Sequence, residues 1–427
     1  MGGKVKDGSK EKNRGVELNV LIFILIIGIS FAQIPMSINQ YPPAIDIWQA
    51  QGLFITWIAS LLFLVAFVVN PKNKPRRNIP LMCFCFWIFM KSFFHLYFWM
   101  KNMNHIMLWN LLTVKEIPNE AIRFVILKCI EGVKQVIQMS VVVNLTVILV
   151  IYRTITQYLS KNDIVLSLKF MRGVVLAMMF MCILQKFNLS QIYRLADTQS
   201  NWHNNIVTGF IGNGTHLSGL LAMCLPLFLW KNSREDILAM ILMFILLFSC
   251  GTTMNDPSIS GFIITMVILL NFYKTKWWIK TLVFIGMIVS LFSVYYLPYQ
   301  FFNDNGRLSE FKVLWDELFL KAPLVGHGAS SFQLYMMQST NVILKVMSHV
   351  HLEYYQIAIE FGIVGLVLFV WMIQDFFNRK ANDRLALVLK SIVLGYLVSG
   401  LFNFPFHLWL PSTFVLIAYG GYECLDS

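Results

Sequence analysis

The chain has 427 residues, of which 57% are hydrophobic and only 13% charged, and its formal net charge is +12. A soluble protein of this length could not bury so much apolar surface, so the composition excludes an ordinary soluble class and predicts a membrane protein. Nucleic acid is not an expected partner. Many basic residues stand in short clusters between apolar runs, where positive-inside bias and contact with membrane lipids account for them.

Twelve apolar runs are long enough to cross about 30 Å of hydrocarbon as helices. With the N-terminus inside, the inner connections carry clusters of Lys and Arg, whereas the short outer loops carry none. The sequence therefore predicts an all-α polytopic membrane protein with both termini in the cytoplasm. The predicted spans are 17–34, 52–69, 79–99, 136–153, 164–185, 208–230, 235–251, 258–273, 279–297, 352–373, 385–402 and 406–423.

The longest outer segment, 298–351, falls between the ninth and tenth predicted spans. We treat residues 1–427 as a single transmembrane domain that carries this large loop. Apolar residues recur within the loop at helical spacing, which predicts an amphipathic helix lying on the membrane or on the bundle and ending near Ala322-Pro323. The apolar positions are Leu308, Phe311, Leu314, Trp315 and Leu318.

All eight histidines fall on the outer side of this topology or in the outer half of a predicted span, which indicates an outer functional site. The densest constellation runs from Arg307 to Gly365. We predict that His351 lies in the first turn of a span and shares a face with Tyr354 and Tyr355. A polar stripe on another part of that helix is predicted for Glu353, Gln356 and Glu360. A carboxylate within a span usually faces a cavity or a partner.

The motifs in this stretch resemble those of one family. Their order is Gly-Arg, Trp, Pro-x-x-Gly-x-Gly, Phe and His-x-x-Tyr-x-Gln-x-x-x-Glu-x-Gly-x-x-Gly, which is similar to the O-antigen ligase and O-antigen polymerase superfamily. The earlier stretch 209–215 and the Leu225-Pro226-Leu227 sequence agree with it. Two positions differ: Asn204-Asn205-Ile206 stands where relatives often have an Arg, and 258–261 lacks the Arg of a Ser-Arg-Gly.

The resemblance implies a membrane glycosyltransferase with a GT-C-like arrangement. Such proteins move a glycan from a polyprenyl-diphosphate donor to an acceptor hydroxyl on the periplasmic face of the bacterial inner membrane. The leaving diphosphate needs positive charge, for which Arg307 is the leading candidate and Arg194 a helper. His351 matches the family's histidine and is the candidate base. Direct displacement at the anomeric carbon of the donor sugar would invert the configuration of that carbon.

No cofactor is expected. A divalent-metal site of the Asp-x-Asp type is not expected either, because no Asp-x-Asp occurs in the chain. Supporting roles are assigned to His349, Glu353, Tyr355 and His327. Several positions also have structural interpretations. His351 could anchor a helix end, His327 could shape a turn between two glycines, and Gly362 and Gly365 could allow close helix packing.

Within the transferase hypothesis, a ligase joins polysaccharide to lipid A core, whereas a polymerase extends another lipid-linked glycan. We favour the ligase, because one dominant late outer loop suits it. A protein O-oligosaccharyltransferase is a further alternative. A transporter or flippase, with Lys91 and Glu360 as candidate midplane charges, and a non-catalytic partner subunit are the alternatives from other classes.

Overall fold

The structure, a computed structural model, describes about two fifths of the chain. Five predicted spans, 17–34, 52–69, 235–251, 258–273 and 279–297, lie outside the described residues. The described residues are 78–102, 145–187, 189, 209, 214–229, 307–329, 331, 332, 350, 352–381, 383–401 and 405–426.

The described part of the chain contains helices and no strand, in agreement with the predicted all-α class. Two of its helices, 161–185 and 353–378, are long and apolar enough to cross a membrane. The total of twelve spans stays a prediction. The helices are α1 (Ile79–Asn102), α2 (Leu145–Tyr158), α3 (Lys161–Lys186), α4 (Gly214–Cys224), α5 (Pro226–Leu229), α6 (Arg307–Glu317), α7 (Glu353–Asn378), α8 (Arg384–Ser399) and α9 (Trp409–Asp426).

The helices α3, α7, α8 and α9 share one hydrophobic core with α4 and α5, and α1 packs along α7. Large apolar side chains such as Phe376, Phe414 and Tyr422 are almost fully buried in it. Apolar side chains elsewhere remain exposed, for example Phe86 on α1 and Val367 on α7. Exposed apolar helix surface of this kind is typical of a protein surrounded by lipid.

A buried ion pair ties α7 to α9 at one end of the bundle. The Arg379 guanidinium, directly after α7, contacts the carboxylates of Glu423 and Asp375. The Asn78 amide nitrogen, just before α1, donates to Glu423 Oε1 over 2.8 Å and to the Tyr419 hydroxyl over 2.9 Å. The start of α1 and the ends of α7 and α9 therefore meet at this end.

Other basic side chains lie at the same end of the bundle. Lys390 is almost fully buried on α8 and donates to the Phe377 carbonyl over 3.1 Å, near the C-terminus of α7, where positive charge is favourable. Lys161 at the start of α3 contacts Asp383 over 2.6 Å, and Asp383 caps α8 by accepting from the Ala386 amide. Partial burial raises the pKa of Asp383. The hydrogen bonds from Lys161 and the Ala386 amide lower it by more than burial raises it, so the pKa lies below its usual value.

The amphipathic helix predicted in the large loop is present as α6, and a 3-10 turn at Phe319–Lys321 follows it before Pro323. Leu314 and Leu318 are buried, whereas Trp315 is 46% exposed. The buried face contacts residues of α7, so the described part of the loop rests on the bundle.

Candidate active site

Helix α7 is interrupted at Gly362, which has a φ of 71° and a ψ of −175°. In a continuous helix, the carbonyls of Ile359 and Glu360 would accept from the amides of Ile363 and Val364. The interruption removes these bonds, and each backbone group left without a partner in an apolar surrounding costs several kcal/mol. A partner from elsewhere in the chain must replace each one.

The loop of residues 323–328, which we call the clasp loop, supplies those partners. The Pro323 and Leu324 carbonyls accept from the amides of Ile363 and Val364 over 2.8 and 3.2 Å. In return, the His327 and Gly328 amides donate to the Ile359 and Glu360 carbonyls over 3.0 and 2.8 Å. Four backbone hydrogen bonds thus replace the two that the interruption removes. The clasp-loop residues that make them are Pro323, Leu324, His327 and Gly328.

This contact requires glycine on both sides. A Cβ added to Gly326, which has a φ of 67°, would lie 2.5 Å from the Gly362 amide nitrogen. A Cβ added to Gly362 would lie 2.5 Å from the Val325 amide nitrogen. Interpreted from the sequence alone, Gly362 allows close packing between helices. That interpretation is wrong, because the segment that approaches Gly362 is the clasp loop.

Helix α1 supports the same junction from the other side. The Trp87 indole nitrogen donates to the Phe361 carbonyl over 3.0 Å, and the Lys91 amine donates to the Gly326 carbonyl over 3.1 Å. Lys91 was a candidate midplane charge under the transporter hypothesis. Its contact with the clasp loop gives that charge a structural role.

Tyr355, in the first turn of α7, joins α7 to α6. Its hydroxyl donates to the Phe311 carbonyl over 3.2 Å, and its ring packs edge-on against the Phe311 ring with centroids 5.7 Å apart. The rings of Trp315 and Phe319 complete this aromatic cluster, each with its centroid 6.4 Å from that of Tyr355. Phe311 lies about one helical turn after Arg307. Tyr355 lies four residues after His351.

His327 fastens the clasp loop to the end of α6. Its Nε2 atom lies 2.6 Å from the Leu318 carbonyl oxygen, and Gly326 and Gly328 on either side both have positive φ. From the sequence, His327 has both a supporting role and a turn-shaping interpretation; these contacts agree with the turn-shaping one, and the supporting role stays a prediction.

Glu353 faces a different part of the molecule. Its Oε1 atom accepts from the Phe406 amide over 2.7 Å, and its own amide donates to the Gly400 carbonyl over 3.0 Å. Tyr354 beside it donates to the Leu397 carbonyl over 2.5 Å. Glu353 and Tyr354 therefore join α7 to α8 and the turn before α9, whereas Tyr355 joins α7 to α6.

Gln356 and Glu360 are hydrogen-bonded along the buried face of α7, as their spacing of four residues predicts. Gln356 Nε2 donates to Glu360 Oε1 over 3.0 Å. The other end of the amide, Oε1, accepts from the Val350 amide over 3.2 Å. Both side chains are almost fully buried, and Val350 is 0% exposed.

One prediction about His351 is wrong. Helix α7 begins at Glu353 with extended Leu352 as its N-cap, so His351 precedes the helix rather than lying in its first turn. The helix starts at Glu353 in the presence of a tertiary contact: the Glu353 amide donates to the Gly400 carbonyl instead of to a residue of the preceding segment. The side chains of His351, His349 and Arg194 lie outside the described residues, and Arg307 is described only as the first residue of α6.

The Gly209–Thr215 motif is attached to the end of α3. Gln185, which is fully buried, donates through Nε2 to the Gly209 carbonyl over 3.2 Å. Its Oε1 accepts from the Gly209 amide over 2.9 Å. The contacts by which Gln185, Trp87 and Gln356 organise the motifs are not predicted by the sequence. The one available signal was a polar side chain inside an apolar run, which requires a buried partner.

Among the described residues, no group of three or more His, Cys, Asp or Glu side chains is arranged to hold a metal ion. The described charged and polar groups near the interruption bind backbone and one another. The arrangement thus holds two segments together, α6 with Arg307 at its start and the chain that leads from His351 into α7.

An all-helical bundle with exposed apolar helix surface and buried polar contacts around an interrupted helix has the properties of a helical membrane protein. Residues 219–370 match the family model described as O-antigen ligase. This match supports the O-antigen ligase and polymerase superfamily and confirms the resemblance that the motifs indicated. It supports glycosyl transfer of that general type. No curated protein matches the chain.

The matched segment contains most of the candidate site. Arg307, His327, His351 and the interruption at Gly362 all fall within residues 219–370, whereas Arg194 precedes them. The matched residues therefore include α6, the clasp loop and α7 as far as residue 370, which are the elements that the contacts above hold together.

Proposed function

We propose that the protein transfers a glycan from a polyprenyl-diphosphate-linked donor to an acceptor hydroxyl on the periplasmic face of the bacterial inner membrane. Within this chemistry we favour an O-antigen ligase of lipopolysaccharide biosynthesis, with lipid A core as acceptor. The observation that carries the proposal is the contact between α6 and the start of α7 through Tyr355 and Phe311. It joins α6, which begins at Arg307, to the first turn of α7, and both elements lie within the residues that match the O-antigen ligase model.

In the proposed reaction, His351 removes the proton from the acceptor hydroxyl, and the resulting oxygen attacks the anomeric carbon of the donor sugar. The bond from that carbon to the diphosphate oxygen breaks, and the polyprenyl diphosphate leaves with the electron pair. Arg307, helped by Arg194, stabilises the negative charge on the leaving group, because a guanidinium binds phosphate through two parallel hydrogen bonds. A single displacement inverts the anomeric configuration without a metal ion.

The orientation in the membrane follows from the charge distribution. Asn78, Lys161, Arg379 and Asp383 all lie at one end of the bundle, and the charge rule assigns their connections to the cytoplasm. The clasp loop meets α7 around Gly362, the tenth of its 26 residues, in the half of the helix that lies farther from Arg379. This arrangement supports a multi-pass protein with a periplasmic site and cytoplasmic termini.

A topology reporter tests this orientation. We expect a fusion after Asn341, in the large loop, to report an extracytoplasmic position, because the loop connects two outer span ends. A fusion after Ala381, between α7 and α8, is the matched control and should report the cytoplasm. The reverse pattern, or the same result for both fusions, would exclude a periplasmic site at this loop.

The function itself is tested by reconstitution of the purified protein with a polyprenyl-diphosphate glycan, with and without lipid A core. We expect consumption of the donor and a conjugate between glycan and core. A ladder of longer lipid-linked glycans in the absence of core would assign the polymerase reaction instead. Movement of intact donor across the vesicle membrane without any glycosidic bond formation would contradict the proposal and favour a transporter.

A further inference from the structure

Gln356 holds the backbone immediately before His351. Its Oε1 accepts from the Val350 amide, six residues earlier in the chain, over 3.2 Å. Val350 is fully buried in a cluster that includes Leu314 and Leu318 at the end of α6 and Ile359 on α7. The residue that precedes His351 is therefore fixed both by apolar packing and by one side-chain hydrogen bond from α7.

Glu360 fixes the orientation of the Gln356 amide. Because the Val350 amide is a donor, the oxygen of the Gln356 side chain must face it, and the nitrogen must face the other way. There it donates to Glu360 Oε1 over 3.0 Å. The donor at Val350 and the accepting oxygen of Glu360 together favour one orientation of the Gln356 amide.

Glu360 is also held from outside α7. Its backbone carbonyl accepts from the Gly328 amide of the clasp loop over 2.8 Å, at the last turn before the interruption. A continuous chain of hydrogen bonds and covalent backbone thus runs from the clasp loop through Glu360 and Gln356 to Val350. All three residues are almost fully buried, which protects this chain from exchange with water.

We propose that Gln356 and Glu360 are positioning residues that set the location of His351 through the Val350 amide. This inference rests on the proposed function, in which His351 is the base. Neither residue touches the substrate in this role. A base must lie within hydrogen-bond distance of the acceptor hydroxyl, and a displacement of about 1 Å can lower the rate about 100-fold. Rigid attachment of Val350, the residue before His351, would keep the base within that distance.

The test compares Gln356→Met with Tyr354→Phe. Gln356→Met removes the amide at similar volume. Tyr354→Phe removes a buried hydrogen bond in the same part of α7 but one that is directed at Leu397. We expect Gln356→Met to lower kcat about 10- to 100-fold with KM changed less than about twofold, because substrate binding is retained while the base is displaced. Tyr354→Phe should keep kcat.

Hydrogen exchange of the Val350 amide provides a readout that does not depend on activity. In Gln356→Met it should be at least about tenfold faster than in the unmodified protein, whereas Tyr354→Phe should leave it unchanged. Glu360→Gln retains an oxygen acceptor for Gln356 and should preserve most of kcat, but Glu360→Leu should resemble Gln356→Met. If Gln356→Met does not fold, Gln356→Asn withdraws the oxygen from Val350 and keeps an amide for Glu360.

The two hypotheses fail in different ways. Unchanged Val350 exchange in Gln356→Met, or faster exchange with normal kcat, would overturn the positioning role. An equal loss of kcat in Tyr354→Phe would also overturn it, because the effect would then follow from general loosening of α7. A fully active His351→Ala protein would instead refute the base in the proposed function, and the positioning role with it.

Discussion

Replacement of Arg307 by Ala should lower the rate of glycan transfer about 100- to 1000-fold while the protein still inserts and folds. Loss of one preorganised donor to a developing negative charge has an effect of this size in other enzymes. Arg307→Lys keeps the charge but loses the two parallel hydrogen bonds, so its rate should lie between those of the unmodified protein and Arg307→Ala. The rate is measured by single-turnover transfer from the lipid-linked donor.

Lys312 offers a matched control on the same helix. It lies on α6, five residues after Arg307, and is exposed. Lys312→Ala removes the same charge without removing the proposed phosphate contact, and its transfer rate should stay within about twofold, since an exposed charge in water interacts weakly with its surroundings. A similar loss in Lys312→Ala and Arg307→Ala would show that the net charge of the loop, rather than a site at Arg307, controls the rate.

His351→Ala should lower the rate by about 100- to 10,000-fold, which is the usual contribution of a positioned general base. The remaining activity should respond less steeply to pH than that of the unmodified protein, because the group that must be deprotonated is absent. Normal transfer in His351→Ala would refute its role as base. The pH dependence separates this result from simple misfolding, which lowers the amount of active protein equally at every pH.

The helices were predictable from the sequence because their signals are local. The apolar spacing of Leu314 and Leu318 predicted α6, and Pro323 marked the end of that segment. The spans at 79–99 and 164–185 correspond to α1 and α3 within a few residues. In each case, side chains within one or two turns carry the information, so no knowledge of the tertiary structure is needed.

The start of α7 was not predictable for the opposite reason. Its first amide is satisfied by the Gly400 carbonyl, 47 residues later, and no side-chain cap marks Leu352 as the boundary. Gln356 reaches back to Val350 across that boundary. The candidate site residues were recognised by motif, but their contacts were not. A motif gives residue types in order, whereas the direction of Glu353 and Tyr355 toward different neighbours depends on packing.

The contact between the clasp loop and α7 was not predictable from the sequence for a similar reason. Gly326 and Gly362 belong to two motifs that are 36 residues apart, and each was interpretable alone as a turn or packing glycine. In the structure the two glycines depend on each other, because the backbone around each one occupies the space where the other would carry a Cβ. Contacts between backbones leave no complementary side chains in the sequence, so only the tertiary structure reveals the pair.

Gly362→Ala should therefore prevent accumulation of folded protein. The added Cβ would lie 2.5 Å from the Val325 amide nitrogen and would also overlap the Leu324 carbonyl. These atoms belong to the backbone of the clasp loop and cannot move without breaking its hydrogen bonds to Ile363 and Val364. A φ of 71° with a ψ of −175° lies in a region that is essentially restricted to glycine, and it adds about 1–3 kcal/mol for a residue with a Cβ. Against a typical folding stability of about 5–15 kcal/mol, the combined loss is severe.

The measurement is the melting temperature and yield of monodisperse protein in detergent, with Gly173→Ala as the control. Gly173 lies on α3, where an added Cβ would meet nothing within 4 Å, so alanine there should be neutral or stabilising by up to about 1 kcal/mol. Gly326→Ala should resemble Gly362→Ala. A Gly362→Ala protein that melts like the unmodified protein would show that the clasp loop does not hold the interrupted helix.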